Sequence, residues 1–171
     1  GLLVRSLLSA GVDTTVTALG SAIWCLANNP DQFDLLKAKP DYARWAFEET
    51  MRFTSPVHSF FRTANVVTEV SGIKIAEGTK ILCVLAAANR DENHWPEPDK
   101  FDIDRRPSQH LALGVGVHTC VGQNVARAEG YAVLMSIAKK VESIELAGET
   151  VWRPNNSIRS LAHLPVTFRG K

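Results

Sequence analysis

A single cysteine enclosed by glycines restricts what the C-terminal half of this 171-residue chain can form. Gly114 and Gly116 precede Cys120, Gly122 follows it, and helical sequence begins at about Val121. Glycines permit tight turns with positive φ and the close approach of a flat ligand. Backbone N–H groups and the positive end of a helix dipole favour the thiolate form of a cysteine at a helix start. The run therefore predicts a loop that presents a thiolate able to bind iron.

The composition, with 45% hydrophobic and 22% charged residues, is that of an ordinary globular chain. A net charge of +1 gives no reason to expect nucleic acid or an anionic membrane surface as a partner. The cysteines Cys25, Cys83 and Cys120 lack Cys-x-x-Cys spacing, which argues against a disulfide framework and a structural zinc site. We therefore expect a reducing, cytoplasmic location. The apolar stretch 7–26 contains Asp13, which is costly in lipid, so we expect a buried helix and no membrane span.

Hydrophobic periodicity and helix breakers predict a mainly α fold with small β-sheets. The predicted helices are 2–28, 30–38, 40–53 and 121–141, and the predicted strands are 57–63, 66–70, 73–75 and 79–86. The stretch 89–109 contains three prolines and no periodicity, which is long for an irregular loop and indicates a functional or tightly packed segment. A strand-like tail follows the last helix.

The interior of the long first helix breaks the local rules for helix formation. Residues 10–15 read Ala-Gly-Val-Asp-Thr-Thr, and such a local conflict is typical of functional sites. The Thr14 hydroxyl can bond the Ala10 carbonyl and open the helix slightly. The alternative is that these threonines are polar residues merely tolerated in a crowded helix.

A second candidate pair lies on the third predicted helix. Glu49 and Arg52 are three residues apart, so they share a face and can form an ion pair. Taken alone, such a pair is more often a solvated helix surface than a functional feature.

The cysteine run resembles the signature of cytochrome P450 enzymes, Phe-x-x-Gly-x-x-x-Cys-x-Gly, although Leu113 stands where that family usually has phenylalanine. Three further motifs resemble the family and follow in its chain order: Ala-Gly-x-Asp-Thr-Thr at 10–15, Glu-x-x-Arg at 49–52, and Arg105 in the meander loop. Asn89-Arg90-Asp91 also resembles the family pattern. The chain therefore resembles the C-terminal part of a soluble bacterial member, comprising the long central helix, the Glu-x-x-Arg helix, the meander, the cysteine loop and the final helix.

The resemblance implies a haem b cofactor and gives roles to several residues. Cys120 would be the axial ligand of the haem iron, in a cofactor-binding loop that includes Gly114. Arg62 and His118 would bind the haem propionates. The alternatives are a surface charge on an edge strand for Arg62 and a loop histidine bonded to backbone for His118. A structural triad would fix the meander 89–109 against the third helix, formed by Glu49, Arg52 and Arg105.

The implied reaction inserts one atom of O₂ into an organic substrate by hydroxylation or O-demethylation. Asp13 and Thr14 would be catalytic, because an acid beside an alcohol can deliver protons to bound oxygen. Electrons would come from NAD(P)H through a ferredoxin or flavodoxin, since no Gly-x-Gly-x-x-Gly motif is present in the chain. A basic docking patch is predicted from Arg106, Arg127, Lys139 and Lys140.

The substrate would be a small hydrophobic or aromatic molecule. Helical spacing puts four residues of the first helix on one face, which we expect to line the substrate pocket with strand residues Val57 and Phe60. The four are Ser6, Ser9, Ala10 and Thr14. The run 55–62 resembles bacterial members that oxidise para-substituted benzoic acids, with Phe60 stacking on a ring and the serines binding a carboxylate.

The sequence begins Gly-Leu-Leu-Val, without an initiator methionine, as though inside a helix. We expect residues 1–171 to be the haem-binding C-terminal portion of a single domain whose N-terminal part is absent. Two alternatives come from other functional classes. One is a truncated remnant or haem-binding module without catalysis, whose first helix would expose apolar surface and cause aggregation or partner binding. The other is a haem-based gas sensor, which the Asp13–Thr14 pair disfavours.

Overall fold

The computed structural model describes residues 1–171, except for the side chain of Leu7. Within this described part the helices are α1 (Leu2–Asn28), α2 (Pro30–Ala38), α3 (Ala43–Thr54), α4 (Leu85–Ala88) and α5 (Gln123–Lys140). Short 3₁₀ turns occur at Pro40–Tyr42, Ile103–Arg105, Leu111–Leu113 and Gly116–His118. The predicted helical regions are all present. The last helix begins and ends about one to two residues inside its expected bounds.

The strands form four two-stranded antiparallel sheets within the described residues. The strands are β1 (Ser59–Thr63), β2 (Thr68–Val70), β3 (Ile73–Ile75), β4 (Lys80–Val84), β5 (Val141–Leu146), β6 (Val151–Trp152), β7 (Leu161–His163) and β8 (Val166–Gly170). They pair as β1 with β4, β2 with β3, β5 with β8, and β6 with β7. The predicted mainly α fold with small sheets is confirmed.

The strands predicted from 57 and 66 begin two residues later, at Ser59 and Thr68, and one strand prediction was wrong at its C-terminal end. The expected strand 79–86 stops at Val84, because Leu85–Ala88 turns into α4. Leucine and alanine are among the strongest helix formers, so a Leu-Ala-Ala-Ala run favours this turn.

The hydrophobic core lies where the C-terminal half of α1 packs against α3 and α5. Its largest buried members include Leu26, Phe47 and Leu134. Gly130 of α5 allows the helices to approach closely, because a Cβ atom there would lie 2.3 Å from Cδ2 of Phe47. Tyr131 then packs edge-on against the Phe47 ring, with centroids 5.9 Å apart.

The N-terminal half of α1 is exposed, which corrects the expectation of a wholly buried helix. Its exposed large apolar side chains are Leu2, Leu3, Val4, Leu8, Val12 and Val16. The elements that cover the second half of α1 do not extend to the first. Among the described helices α1 alone is long and apolar enough to span a membrane by length and composition, a test that core helices also pass.

Candidate active site

The cysteine loop is a tight turn whose shape depends on glycine. Gly114 and Gly116 have φ values of +71° and +60°, in the left-handed region that favours glycine. A Cβ atom at Gly114 would lie 2.3 Å from the backbone oxygen of His118. The Cys120 N–H donates to the Leu113 carbonyl at 2.7 Å, which closes the turn. Cys120 therefore has a fixed backbone position three residues before α5, with its side chain partly exposed.

The cysteine loop faces α1 across an apolar cleft of about 310 Å³. Helix α1 contributes Ala10 and Thr14, and the loop contributes Gly114, His118 and Cys120. Further lining residues come from α3, from β1 and the residues before it, and from α5, among them Phe47, Met51, Val57, Phe60 and Ala126. The structure thus brings the predicted oxygen-activating residue and the predicted iron ligand to one cleft.

The residues around Cys120 fit a flat apolar group with one thiolate ligand. Val117 and Val121, three residues before and one residue after the cysteine, are 97% and 86% exposed, and Val121 lines the cleft with Cys120. Among the described residues no group of three His, Cys, Asp or Glu could hold a metal ion. Iron at Cys120 would therefore need most of its ligands from a prosthetic group.

The two predicted propionate partners, His118 and Arg62, differ in their position relative to the cleft. His118 is exposed and lines the cleft beside Cys120. Arg62 lies on β1, outside the cleft lining, and donates to the neighbouring Phe61 carbonyl at 2.9 Å. Its guanidinium carbon lies 5.7 Å from the centre of the Phe60 ring.

The Thr14 hydroxyl donates to the Ala10 carbonyl at 2.6 Å. Helix α1 nevertheless stays α-helical throughout, so the expected opening is not seen as a break. Asp13 is exposed beside Thr14, and both residues line a second, wider groove of about 560 Å³.

This groove unites all the predicted substrate-pocket residues. They are Ser6, Ser9, Ala10, Val57 and Phe60. The groove also contains Arg5, Ser157 and Ile158, which the sequence analysis did not identify. Ile158 reaches the groove because it forms an isolated antiparallel bridge with Val57, a contact across about a hundred residues.

The Glu49 cluster, defined as Glu49, Arg52 and Arg105, is buried at the end of α3. Arg52 binds Glu49 through two hydrogen bonds, Nε to Oε2 and Nη2 to Oε1, both 2.8 Å long. Arg105 Nε donates to Oε1 of Glu49 at 3.2 Å. The Glu49 and Arg52 side chains are both fully buried, so the solvated-surface alternative does not describe them.

The Glu49 cluster also binds the backbone of the meander 89–109. Arg52 donates to the carbonyls of Asn89, Pro98 and Lys100, and the Asp102 N–H donates to Oε1 of Glu49 at 3.0 Å. The guanidinium groups thus replace the regular secondary structure that the meander lacks.

A second buried carboxylate was missed by the sequence analysis. Glu48 accepts hydrogen bonds from Arg127 Nε at 2.7 Å, from the Tyr131 hydroxyl, and from His110, whose Nε2 lies 2.9 Å away. Burial alone would raise the pKa of Glu48, but these hydrogen bonds outweigh it and lower the pKa to about 2. The four residues are called the Glu48 cluster below. The only signal in the sequence is the spacing of Arg127 and Tyr131, which puts both on one face of α5.

The predicted docking patch is wrong for Arg127. Its guanidinium turns inward to Glu48, and the side chain is 28% exposed. Arg106 is exposed, but it pairs with Asp104 and donates to the Tyr42 hydroxyl. Lys139 and Lys140 remain exposed in the last turn of α5.

Comparisons with known proteins show which family the chain resembles. The sequence is 53% identical over 165 residues to cytochrome P450 CYP199A2 of Rhodopseudomonas palustris, which covers 96% of the chain and 40% of that protein. Cytochrome P450-terp of a Pseudomonas species is 39% identical over 160 residues, 94% of the chain and 37% of the relative. The chain therefore spans about 40% of the length of these curated relatives.

The structure also superposes closely on solved cytochrome P450 structures. Cytochrome P450 CYP109Q5 from Chondromyces apiculatus matches with a TM-score of 0.92 and 33% identity, over 98% of this chain and 44% of that one. P450BioI, solved with an acyl carrier protein bearing hexadec-9Z-enoic acid, matches with a TM-score of 0.90 and 37% identity, over 94% and 42%. The sequence profile of cytochrome P450 matches residues 2–167. The chain belongs to the cytochrome P450 family.

Proposed function

We propose that the full-length protein containing this chain is a haem-thiolate monooxygenase that hydroxylates or O-demethylates an organic substrate. The observation that carries the proposal is the apolar cleft in which Cys120 and Thr14 face each other. Family membership implies a haem iron, and a haem b group bound there would supply the activation of O₂.

The cysteine loop would hold that group from one side. Cys120 would supply the axial thiolate, in a position set by the turn at Gly114 and the bond to the Leu113 carbonyl. His118, which lines the cleft with Cys120, and Arg62, on β1 outside the cleft lining, would bind the propionates. The exposed side chain of Val121, which lines the cleft, would be covered by the macrocycle.

The opposite wall, on α1, would deliver protons. The Thr14 hydroxyl is held by the Ala10 carbonyl at 2.6 Å and lines both the cleft and the wider groove. Asp13 lines the same groove and is exposed, so it can exchange protons with solvent and pass them toward Thr14.

We propose a small aromatic carboxylate as the substrate. Phe60 is 48% exposed and offers a ring for stacking at the groove. Ser6 and Ser9 supply hydroxyl donors in the same groove, and Arg5 adds a positive charge that the sequence analysis had not included. A carboxylate could accept hydrogen bonds from these donors, which a purely hydrophobic substrate could not.

Electrons would come from NAD(P)H through a small acidic ferredoxin or flavodoxin, in the cytoplasm. Lys139 and Lys140 are the members of the predicted patch that are exposed and form no described ion pair. A neutral double variant at these lysines is expected to slow electron transfer and to weaken its dependence on salt.

The absorption spectrum of the reduced, carbon monoxide-bound full-length protein tests the central proposal. We expect a Soret band at about 450 nm, the spectral hallmark of thiolate-ligated haem in this family. The band should be lost in Cys120→Ala and kept in Cys83→Ala. A folded, haem-loaded protein without the band, or a band that persists in Cys120→Ala, would overturn the proposal.

The role of Thr14 has a separate test. Thr14→Ala is expected to divert electrons from product to hydrogen peroxide, while Thr17→Ala, a buried threonine one turn away, is not. Unchanged coupling of electron use to product in Thr14→Ala would remove this hydroxyl from proton delivery.

A second candidate function rests on the exposed apolar face of α1. If the 171-residue chain acts alone, this face predicts aggregation or a binding partner, with weak haem binding and no catalysis. Sedimentation and haem titration of the isolated chain distinguish a remnant of this kind from a chain that folds and binds haem by itself. A monodisperse chain that binds haem tightly would exclude the remnant.

A further inference from the structure

The Glu48 cluster joins three segments that are distant in sequence. Glu48 lies on α3, His110 directly precedes the 3₁₀ turn Leu111–Leu113, and Arg127 and Tyr131 lie on α5. The cysteine loop begins after His110 and ends at α5. One carboxylate therefore binds the residue that precedes the cysteine loop and two residues in the second and third turns of the helix that follows it.

The attachment before the loop depends strongly on Glu48. The His110 side chain is 2% exposed, and its Nδ1 atom is buried without a hydrogen-bond partner in the described structure. The contact with Glu48 is therefore the one described hydrogen bond of this imidazole. A neighbouring bond adds to it, because the Leu111 N–H donates to the Asn89 side chain at 2.7 Å.

The attachment after the loop is charged and has several contacts. Arg127 donates through Nε at 2.7 Å and through Nη2 at 3.1 Å, so it binds both carboxylate oxygens. The Tyr131 hydroxyl adds another donor from the next turn of α5. Charge-assisted hydrogen bonds with two contacts fix orientation as well as distance.

We propose that Glu48 is a positioning residue for the axial thiolate, acting through His110 on one side of the cysteine loop and through Arg127 and Tyr131 on the other. This inference rests on the proposed function, because it assumes that Cys120 binds the haem iron. Glu48 does not line the cleft, so it acts on Cys120 indirectly, through the segments that precede and follow the cysteine loop.

The test uses the full-length, haem-loaded protein and the variant Glu48→Gln, with Glu129→Gln as the matched control. Glu129 is exposed on α5 and loses the same charge without losing a described ion pair. We follow the decay of the reduced, carbon monoxide-bound Soret band toward shorter wavelength, which marks loss of the thiolate ligand. Glu48→Gln is expected to accelerate this decay about tenfold, and Glu129→Gln to leave it unchanged.

If Glu48→Gln does not fold, two milder variants are tested in the same way. Tyr131→Phe removes one hydrogen bond and leaves the Glu48–Arg127 pair in place, so it should accelerate the decay by about two- to fivefold. Glu48→Asp keeps the charge and should decay more slowly than Glu48→Gln. Far-UV circular dichroism and the ratio of haem to protein are measured for each variant.

Two outcomes would overturn the positioning role. One is a lowered melting temperature with an unchanged decay rate in Glu48→Gln, which is the result for a purely structural carboxylate. The other, decisive if Glu48→Gln does not fold, is an unchanged decay rate in Tyr131→Phe. If the wild-type protein lacks the band at about 450 nm, the proposed function itself fails, which is a distinguishable result.

Discussion

Glu48 and Glu49 are neighbours on α3, yet they bind different parts of the molecule. Glu49 faces the meander through Arg52 and Arg105, whereas Glu48 faces the two ends of the cysteine loop. Adjacent residues on a helix point about 100° apart, so two consecutive carboxylates serve two segments on different sides. A single turn of α3 thus holds both irregular regions of the site.

The two clusters differ in their donors. Glu49 accepts hydrogen bonds from two guanidinium groups and from one backbone N–H. Glu48 has one guanidinium, one imidazole and one phenol. Burial and the hydrogen bond to Glu48 raise the pKa of Tyr131, so this phenol remains a donor across the usual pH range. The Glu49 cluster is the more fully buried of the two, and the Glu48 cluster is the one next to the cysteine loop.

The largest effect is expected from breaking the Glu49 cluster. Glu49→Ala leaves Arg52 buried without its carboxylate, which should cost about 3–5 kcal/mol of unfolding free energy and abolish haem retention. Asp104→Ala, which removes an exposed ion pair with Arg106, is the control. Urea unfolding and haem content measure both. Normal haem content in Glu49→Ala would show that haem retention does not depend on the Glu49 cluster.

The Glu48 cluster should depend on pH in a defined direction. Its folded pKa of about 2 lies below the ordinary value of 4.5, so its stabilisation is complete above pH 4.5 and is lost as pH falls toward 2. This difference corresponds to about 3 kcal/mol. The stability gap between wild type and Glu48→Gln in urea titrations should be full at pH 6 and shrink below pH 4.5. A gap that stays constant down to pH 3 would contradict this assignment.

A variant in the packing between α3 and α5 should affect the two clusters differently. Gly130→Ala places a Cβ atom against the Phe47 ring, between α3 and α5, and should cost about 1–3 kcal/mol. Because it pushes α5 away from α3, it should loosen the Glu48 contacts with Arg127 and Tyr131 more than the Glu49 contacts. Hydrogen exchange measures this: protection should fall in the cysteine loop and α5 before the meander. Equal loss in both regions would argue against separate clusters.

The smallest effect is expected at Arg106. Its ion pair with Asp104 is about half exposed on both sides, so Arg106→Ala should leave the unfolding free energy almost unchanged. The melting temperatures of Arg106→Ala and Arg127→Ala are compared, and the loss should be much larger for Arg127→Ala, which breaks the contact with buried Glu48. A large loss in Arg106→Ala would mean that the Tyr42 contact matters more than its exposure indicates.

Local patterns predicted what depends on local spacing. The helix 2–28, the strand 73–75 and the Glu49–Arg52 pair follow from periodicity, turn residues and a three-residue spacing. The segments that we predict to activate oxygen and to bind iron were singled out by their motifs, and the structure brings residues of both to one cleft. The residues predicted to line the substrate pocket, from α1 and from the segment 57–60, share one groove as expected.

Long-range contacts set the limit of these predictions. His110 and Arg127 meet Glu48 across 62 and 79 residues, and no spacing rule connects them. Arg127 therefore looked like a surface charge, although it is bound to a buried carboxylate. Ile158 joined the groove through one bridge to Val57. The exposure of the first half of α1 depends on which elements pack against it, which its own composition does not reveal.

The most direct test of the account is X-ray absorption at the iron edge of the full-length, haem-loaded protein. We expect one sulfur atom bonded to iron in the wild type and in Cys25→Ser and Cys83→Ser, and none in Cys120→Ser. Iron without a bonded sulfur in the wild type, or with sulfur retained in Cys120→Ser, would contradict the assignment of Cys120 as the axial ligand.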